Sequence, residues 1–149
     1  MIVLGSDHGG LSLKDAVKDL LRERGIVFED CGTNNGDSVD YPDFGEKVAS
    51  KVSSGEVEKG VLFCGTGIGM SIVANKFPHV RAALVTDTFM ARMAKQHNNA
   101  NILVLGGRVL DAENAKKIVT EWLDADFEGG RHQGRIDKIE TLERELCKR

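Results

Sequence analysis

Five short apolar segments alternate with amphipathic segments, and this alternation constrains the fold more than any other feature of the sequence. The apolar segments comprise residues 2–4, 26–28, 61–63, 82–85 and 102–105. Each is apolar at consecutive positions, which is typical of strands that are covered on both faces. Strict alternation of such strands with helices predicts a parallel sheet with helices on both sides. The sequence therefore predicts an α/β fold, a Rossmann-like three-layer sandwich with a five-stranded parallel sheet.

Apolar residues three and four positions apart predict the helices that connect these strands. The stripes lie within residues 13–21, 44–52, 89–94 and 115–123, and a shorter helix is expected over about residues 70–76. In the fourth of these helices the stripe comprises Phe89, Met90, Met93 and Ala94, and Asp111 is the expected N-cap of the fifth. A final helix over about residues 135–147 is expected to extend from the body of a single domain, residues 1–149.

Composition and charge exclude several function classes. The chain of 149 residues has a net charge of −3, whereas proteins that bind nucleic acid or an anionic membrane typically carry an excess of positive charge. No apolar run approaches the roughly 18 residues of a membrane span, and the first residues are too short a stretch for a signal peptide. The three cysteines form no Cys-x-x-Cys pair, which favours a reducing compartment. We therefore expect a cytoplasmic protein without a nucleic-acid or membrane partner.

The segment Cys-Gly-Thr-Gly-Ile-Gly at residues 64–69 follows the third predicted strand. Alternating glycines at a strand-to-helix turn let successive backbone N–H groups converge on one anion. The segment lacks the Lys-Ser/Thr of a P-loop, and a dinucleotide fingerprint would place its third glycine at position 70. Asp87 lies 18 positions after Gly69, so a flavodoxin-like nucleotide-binding module stays open as an alternative. A glycine-rich turn that binds no ligand is the other alternative.

Four further residues have both a chemical and a structural interpretation. Cys64 begins the glycine segment, where a helix N-terminus favours the thiolate, but cysteine is also common as a small buried apolar residue. Asp7 and His8 follow the first strand and suit sugar contacts or proton transfer, although Asp7 could simply cap a helix. His97 could be a general acid or base, or part of a helix C-cap that Asn98 and Asn99 complete. No two histidines have the spacing of metal ligands, so the sequence predicts no metal site.

Arginines supply a candidate phosphate site. Arg131 and Arg135 are four positions apart and share a face if a helix begins near them, and Arg108 follows the fifth strand. Two guanidinium groups on one face bind a phosphate well, although a solvated basic turn is the ordinary alternative. Tyr41 precedes a proline at a predicted helix start and could lie against a ligand.

An anion nest, a thiol, an acid–imidazole pair, a second histidine and paired arginines fit one reaction class. That class is proton transfer next to the carbonyl of a phosphorylated sugar, with the nest holding the developing oxyanion. It requires neither a cofactor nor a metal.

The sequence closely resembles the type B ribose-5-phosphate isomerases, of the family shared with galactose-6-phosphate isomerase subunits. The resemblance runs nearly end to end. It is carried by residues 6–10 (Ser-Asp-His-Gly-Gly), 40–42 (Asp-Tyr-Pro), 64–69, 74–76 (Ala-Asn-Lys), 97–98 (His-Asn), Asn101, Arg108 and 128–132 (Glu-Gly-Gly-Arg-His).

The resemblance implies a role for each candidate residue. Cys64 is the base that moves a proton between C2 and C1, His97 opens the furanose ring, and Thr66 helps to position the substrate. The substrate-binding set is Asp7, His8, Tyr41, Gly65, Thr66, Gly67, Ile68, Gly69 and Asn98. The phosphate-binding set is His8, Arg108, Arg131 and Arg135.

The resemblance also implies the activity and the assembly. The expected reaction interconverts D-ribose 5-phosphate and D-ribulose 5-phosphate in the non-oxidative pentose phosphate pathway, with six-carbon sugar phosphates such as allose 6-phosphate as alternatives. Sites in this family form between two subunits. We therefore expect a homodimer or a dimer of dimers, with the final helix reaching toward the partner subunit.

Overall fold

The five predicted strands form one parallel sheet in the computed structural model, which describes residues 1–147. The strands are β1 (Ile2–Ser6), β2 (Phe28–Asp30), β3 (Lys59–Cys64), β4 (Ala82–Leu84) and β5 (Ile102–Gly106). Their order across the sheet is β2-β1-β3-β5-β4, and all neighbouring pairs are parallel. The predicted fold class is confirmed.

Within residues 1–147, six α-helices cover the two faces of this sheet or follow it. They are α1 (Leu11–Glu23), α2 (Tyr41–Ser53), α3 (Ile68–Ala74), α4 (Thr88–Gln96), α5 (Ala112–Asp124) and α6 (Arg131–Leu146), and a short 3-10 helix spans His8–Gly10. On one face, α1, α4 and α5 contribute Val17, Ala91 and Trp122 to a buried cluster. On the other face, α2 and α3 contribute Val48 and Met70. This arrangement is the three-layer sandwich.

The strand order fixes where a ligand can bind. β1 lies between β2 and β3, so the chain passes to one side of β1 first and to the other side afterwards. In parallel α/β sheets a crevice forms beyond the carboxyl ends of the strands where the order reverses. The segments that follow β1 and β3 therefore lie side by side, and the segment after β5 joins them on the far side of β3.

Several elements differ from the sequence prediction, among them β2 and α4. The second strand begins at Phe28 rather than at residue 26, because Ile26 N–H donates to Leu21 O and still belongs to the helix terminus. Val27 precedes β2, the edge strand of the sheet, and is exposed. In α4 the buried residues are Ala91 and Ala94, whereas the predicted stripe residues Phe89 and Met90 are 62% and 39% exposed.

The last helix begins earlier than predicted, at Arg131 rather than near residue 135, and it ends at Leu146. Arg131 and Arg135 therefore lie four positions apart on one helix, as the sequence analysis required for a shared face. Ile136 is buried against the body of the protein. The apolar residues farther along α6 remain exposed, namely Ile139, Leu142 and Leu146.

A fully buried lysine holds the loop between β2 and α2. Lys14 Nζ donates to Asp30 Oδ1 at 2.9 Å and to Thr33 O at 2.5 Å. Lys18 Nζ donates to the other oxygen of Asp30 at 2.8 Å. Burial raises the pKa of Asp30, but the hydrogen bonds from Lys18 and Lys14, together with the Gly32 N–H, lower it overall below its usual value. The loop thus depends on a carboxylate that is charged in the folded protein.

Replacing the buried lysine should cost far more stability than replacing its neighbour. Lys14→Met removes one partner of a buried ion pair, and such a loss destabilises proteins by about 3 kcal/mol or more. Lys18→Met is the matched control, because Lys18 is partly exposed and surface pairs contribute up to about 1 kcal/mol. Urea unfolding followed by circular dichroism measures both. Equal losses in the two variants would contradict the assigned role of Lys14.

Candidate functional site

A cavity of about 490 Å³ lies beyond the carboxyl ends of β1, β3 and β5. Five residues that the sequence predicted for the site line it: Asp7, His8, Tyr41, Gly65 and Arg108. The remaining lining comes mainly from the end of the β2–α2 loop and the start of α2, residues 39–43. The loop that Lys14 anchors therefore leads directly into one wall of this cavity.

The turn after β1 fixes the first two polar side chains. Asp7 is buried and its Oδ1 accepts a hydrogen bond from Gly10 N–H at 3.1 Å, so it caps the 3-10 helix as well as lining the cavity. His8 Nδ1 accepts a hydrogen bond from Val39 N–H at 3.2 Å. A nitrogen that accepts carries no proton, so the neutral ring of His8 is protonated at Nε2. This tautomer makes His8 a donor toward a ligand.

The glycine turn after β3 connects this strand to α3, and the convergence of its N–H groups on an anion stays a prediction. Gly67 has a φ of +82° and is the N-cap of α3, a left-handed conformation that favours glycine. Its N–H donates to Cys64 Sγ at 3.2 Å. Neighbouring side chains pack closely on two other glycines of the turn: a Cβ on Gly69 would lie 2.6 Å from the Tyr41 ring, and one on Gly65 would lie 3.1 Å from the Arg108 guanidinium. The turn is thus shaped by the residues around it.

Cys64 is less accessible than its sequence context suggested. It is 4% exposed, and the cavity is lined by Gly65 rather than by Cys64 itself. The reason is its place at the end of β3, a central strand with helices on both faces. Its sulfur accepts a hydrogen bond from Gly67 N–H of the glycine turn. Among the other residues of the turn, Thr66, Gly67, Ile68 and Gly69 also lie outside the cavity lining.

A second cluster of titratable residues forms around His97. Its ring stacks on the ring of His132, with centroids 4.1 Å apart and planes 11° apart. Glu128 Oε2 lies 3.4 Å from His132 Nε2 and 3.9 Å from His97 Nε2. Burial lowers the pKa of His132, and the charges of His97 and Arg131 lower it further, while Glu128 opposes them. Asn99 has a φ of +44°, so the left-handed turn expected after this helix is also present.

The residues that line the cavity and the cluster around His97 lie at opposite ends of the strands. α4 starts beyond the carboxyl end of β4 and returns to the amino end of β5, so His97 and Asn98 lie at the amino ends of the strands. α5 makes the same return from β5, and α6 follows with Arg131 and Arg135. Within one chain, the structure therefore does not bring these residues into the cavity beside Cys64.

Comparison with known proteins identifies the family. A family model described as Ribose/Galactose Isomerase matches residues 2–139. The chain belongs to this family. It is similar to a ribose-5-phosphate isomerase B of Escherichia coli, with 45% identity over 95% of each chain. The fold is similar to that of the ribose-5-phosphate isomerase B of Clostridium thermocellum, with a TM-score of 0.95, 52% identity and 97% and 98% of the two chains covered.

A ribose-5-phosphate isomerase B from Mycoplasma genitalium, solved with bound ribulose 5-phosphate, is also similar. It has a TM-score of 0.93, 45% identity and coverage of 97% of this chain and 96% of that one. The family resemblance, the fold class and the assignment as an isomerase are thus confirmed. Among the described residues, no helix is both long enough and apolar enough to cross a bilayer.

Sequence reasoning missed two residues that shape these clusters. Lys14 lies on the same helical stripe as Val17 and Leu21, and a charged residue at a buried stripe position was the available signal for a buried partner. The sequence assigns His132 no place in the site, because its contact with His97 joins segments that are far apart along the chain. No local pattern predicts such a contact.

The His8–Val39 hydrogen bond can be tested directly. His8→Ala removes the acceptor, so the Val39 amide should exchange with solvent roughly fivefold faster, the equivalent of about 1 kcal/mol. His8→Asn is the matched control, since Asn Oδ1 can accept in place of Nδ1. Amide exchange measured by NMR reports both variants. Faster exchange of the same size in His8→Asn would contradict the acceptor role of Nδ1.

Proposed function

We propose that the protein interconverts D-ribose 5-phosphate and D-ribulose 5-phosphate by proton transfer through an enediolate. The observation that carries the proposal is the adjacency of Cys64, the backbone amides of its glycine turn and a cavity lined by Asp7, His8 and Arg108. The similar proteins with this activity in their names support the choice of substrate. The three free cysteines fit a reducing cytoplasm, where such a metabolic enzyme would act.

The cavity offers groups for both ends of the substrate. Arg108 and His8 would bind the phosphate, the former as a fixed cation and the latter through its Nε2–H. Asp7 and Tyr41 would contact hydroxyl groups, and Thr66 would help to position the chain. The turn at Gly65, Thr66, Gly67, Ile68 and Gly69 would hold the oxyanion that develops at the carbonyl, the interaction that usually contributes most to such a reaction.

Cys64 would act as the base. It removes the proton from C2 of the opened aldose, the C2–H electrons form the C1–C2 double bond, and the electrons of the C1 carbonyl move onto O1 to give the enediolate. A proton then passes from O2 to O1, and the proton held by Cys64 returns to C1 as the C2 carbonyl forms, which gives the ketose. Its burial is compatible with this role because the substrate enters next to Gly65, one residue away along the chain. A site without water also protects the enediolate from side reactions.

The groups at the amino end of the sheet would come from a second copy of the chain. His97 would open the furanose ring, Asn98 would contact the sugar, and Arg131 and Arg135 would complete the phosphate site. The support is geometric, because a parallel sheet separates these residues from Cys64 within one chain. The exposed apolar residues of α6 provide a surface on which a partner could pack. A homodimer, or a dimer of dimers, then contains two complete sites per pair of chains.

Turnover measurements test the activity. The purified protein should convert ribose 5-phosphate faster than allose 6-phosphate or galactose 6-phosphate, with no loss when a chelator is added. Cys64→Ala should keep the fold and lose at least about two orders of magnitude in kcat, since a general base contributes about 10²–10⁴-fold. Near-normal kcat in this variant would refute the thiol base, and preference for a six-carbon substrate would refute the substrate assignment.

Mixing two inactive variants tests the shared site. Cys64→Ala and His97→Asn chains should each be inactive alone. After unfolding and refolding together, half of the dimers are mixed, and each mixed dimer contains one site with both groups intact. Activity should recover to about a quarter of the wild-type value. Refolding each variant separately before mixing is the control, and no recovery after joint refolding would place both groups in one chain.

A further inference from the structure

The His97–Glu128–His132 cluster has the composition of a metal site. The ligand atoms of these three residues all lie within 4.8 Å of one another. Two imidazole nitrogens and one carboxylate oxygen form a set that binds Zn²⁺ and leaves a fourth coordination position open. The sequence prediction of no metal ligands rested on spacing along the chain, and α4 and α6 bring together histidines that spacing kept apart.

A second observation points independently to a ligand. His132 is 5% exposed, and its Nε2 is buried without a hydrogen-bond partner in the described structure. A buried polar atom without a partner is costly, and native proteins usually satisfy it with another group, a water molecule or an ion. This nitrogen lies 3.4 Å from Glu128 Oε2.

We propose that His97, Glu128 and His132 bind a divalent transition-metal ion such as Zn²⁺, and that an ion bound there inhibits the enzyme. The inhibition, unlike the binding, rests on the proposed function, in which His97 opens the sugar ring. A metal-bound Nε2 has no lone pair with which to accept a proton, so an occupied site cannot perform that step.

The geometry requires a small movement by one residue. For two ligands about 2.0–2.1 Å from Zn²⁺ at a tetrahedral angle, the donor atoms are about 3.4 Å apart. The His132–Glu128 pair already has this separation. His97 is stacked parallel to His132, so its lone pair does not converge with that of His132, and its ring must turn out of the stack. Its side chain is 36% exposed, which leaves room for that rotation.

Neighbouring charges favour reversible occupation. Arg131 and Arg135 lie on α6 with His132, and their positive charges oppose a cation bound there. Glu128 supplies the carboxylate of the cluster. The site should therefore exchange its ion with the solvent rather than retain it through purification.

Cobalt binding tests the site without reference to catalysis. Co²⁺ is the probe, titrated into the folded Cys64→Ala protein so that the buried thiol cannot contribute, and followed by its visible absorption. One ion should bind per chain without a thiolate-to-cobalt charge-transfer band. Glu128→Gln and His132→Gln should each weaken binding by at least about tenfold, or 1.4 kcal/mol. Unchanged affinity in both variants, or a thiolate band, would overturn the proposed site.

Inhibition forms the second arm. Zn²⁺ should inhibit the wild-type isomerase, and a chelator should restore its activity. Glu128→Gln is the informative variant, because Glu128 is half-exposed and has no role in the proposed reaction. It should keep its basal turnover and require at least about tenfold more Zn²⁺ for the same inhibition. Cobalt binding without inhibition of an active enzyme would overturn the inhibitory role alone. Equal inhibition of Glu128→Gln would place the inhibiting ion elsewhere.

Discussion

The site depends on the close approach of three loops at the carboxyl ends of β1, β3 and β5. Hydrogen bonds from Gly107 N–H to Cys64 O and from Arg108 N–H to Gly65 O, both 2.8 Å, join the turn after β5 to the turn after β3. A side chain at Gly106 would collide with backbone atoms, because its Cβ would lie 2.6 Å from Thr66 O. A Cβ on Gly10 would likewise lie 2.4 Å from the backbone carbon of Phe63, so these two glycines are explained by packing of backbone against backbone.

Buried charge supports the remaining wall of the cavity. Lys14 and Asp30 join α1 to the end of β2, and Lys14 also holds the start of the following loop through Thr33 O. The far end of that loop reaches His8 through Val39. A buried ion pair is not by itself a source of stability, because desolvation opposes the attraction between the charges. The ion pair between Lys14 and Asp30 instead fixes the position of the segment that leads to Tyr41.

Sequence reasoning predicted the fold well because apolar runs and helical stripes are local signals. It failed at residues 26–27 and at Phe89, where the outcome depends on an edge strand and on the helix face that meets the sheet. Half of the proposed site followed from one rule, that ligands bind beyond the carboxyl ends of parallel strands. The burial of Cys64 could not be predicted, because it depends on how tightly its turn packs against the neighbouring turns.

The position of His97 was implicit in the topology, although no residue motif expresses it. A helix that connects two parallel strands must start at the carboxyl end of the first strand and finish at the amino end of the second. A residue that precedes a strand and a residue that ends a strand therefore lie at opposite ends of the parallel strands. His97 precedes β5, whereas Cys64 ends β3. A reaction that needs both groups therefore requires a second chain, whose His97 can lie beside Cys64 of the first chain. In the proposed dimer, assembly and catalysis are consequently one requirement, and a surface change that separates the chains would abolish activity without disturbing either half of the site.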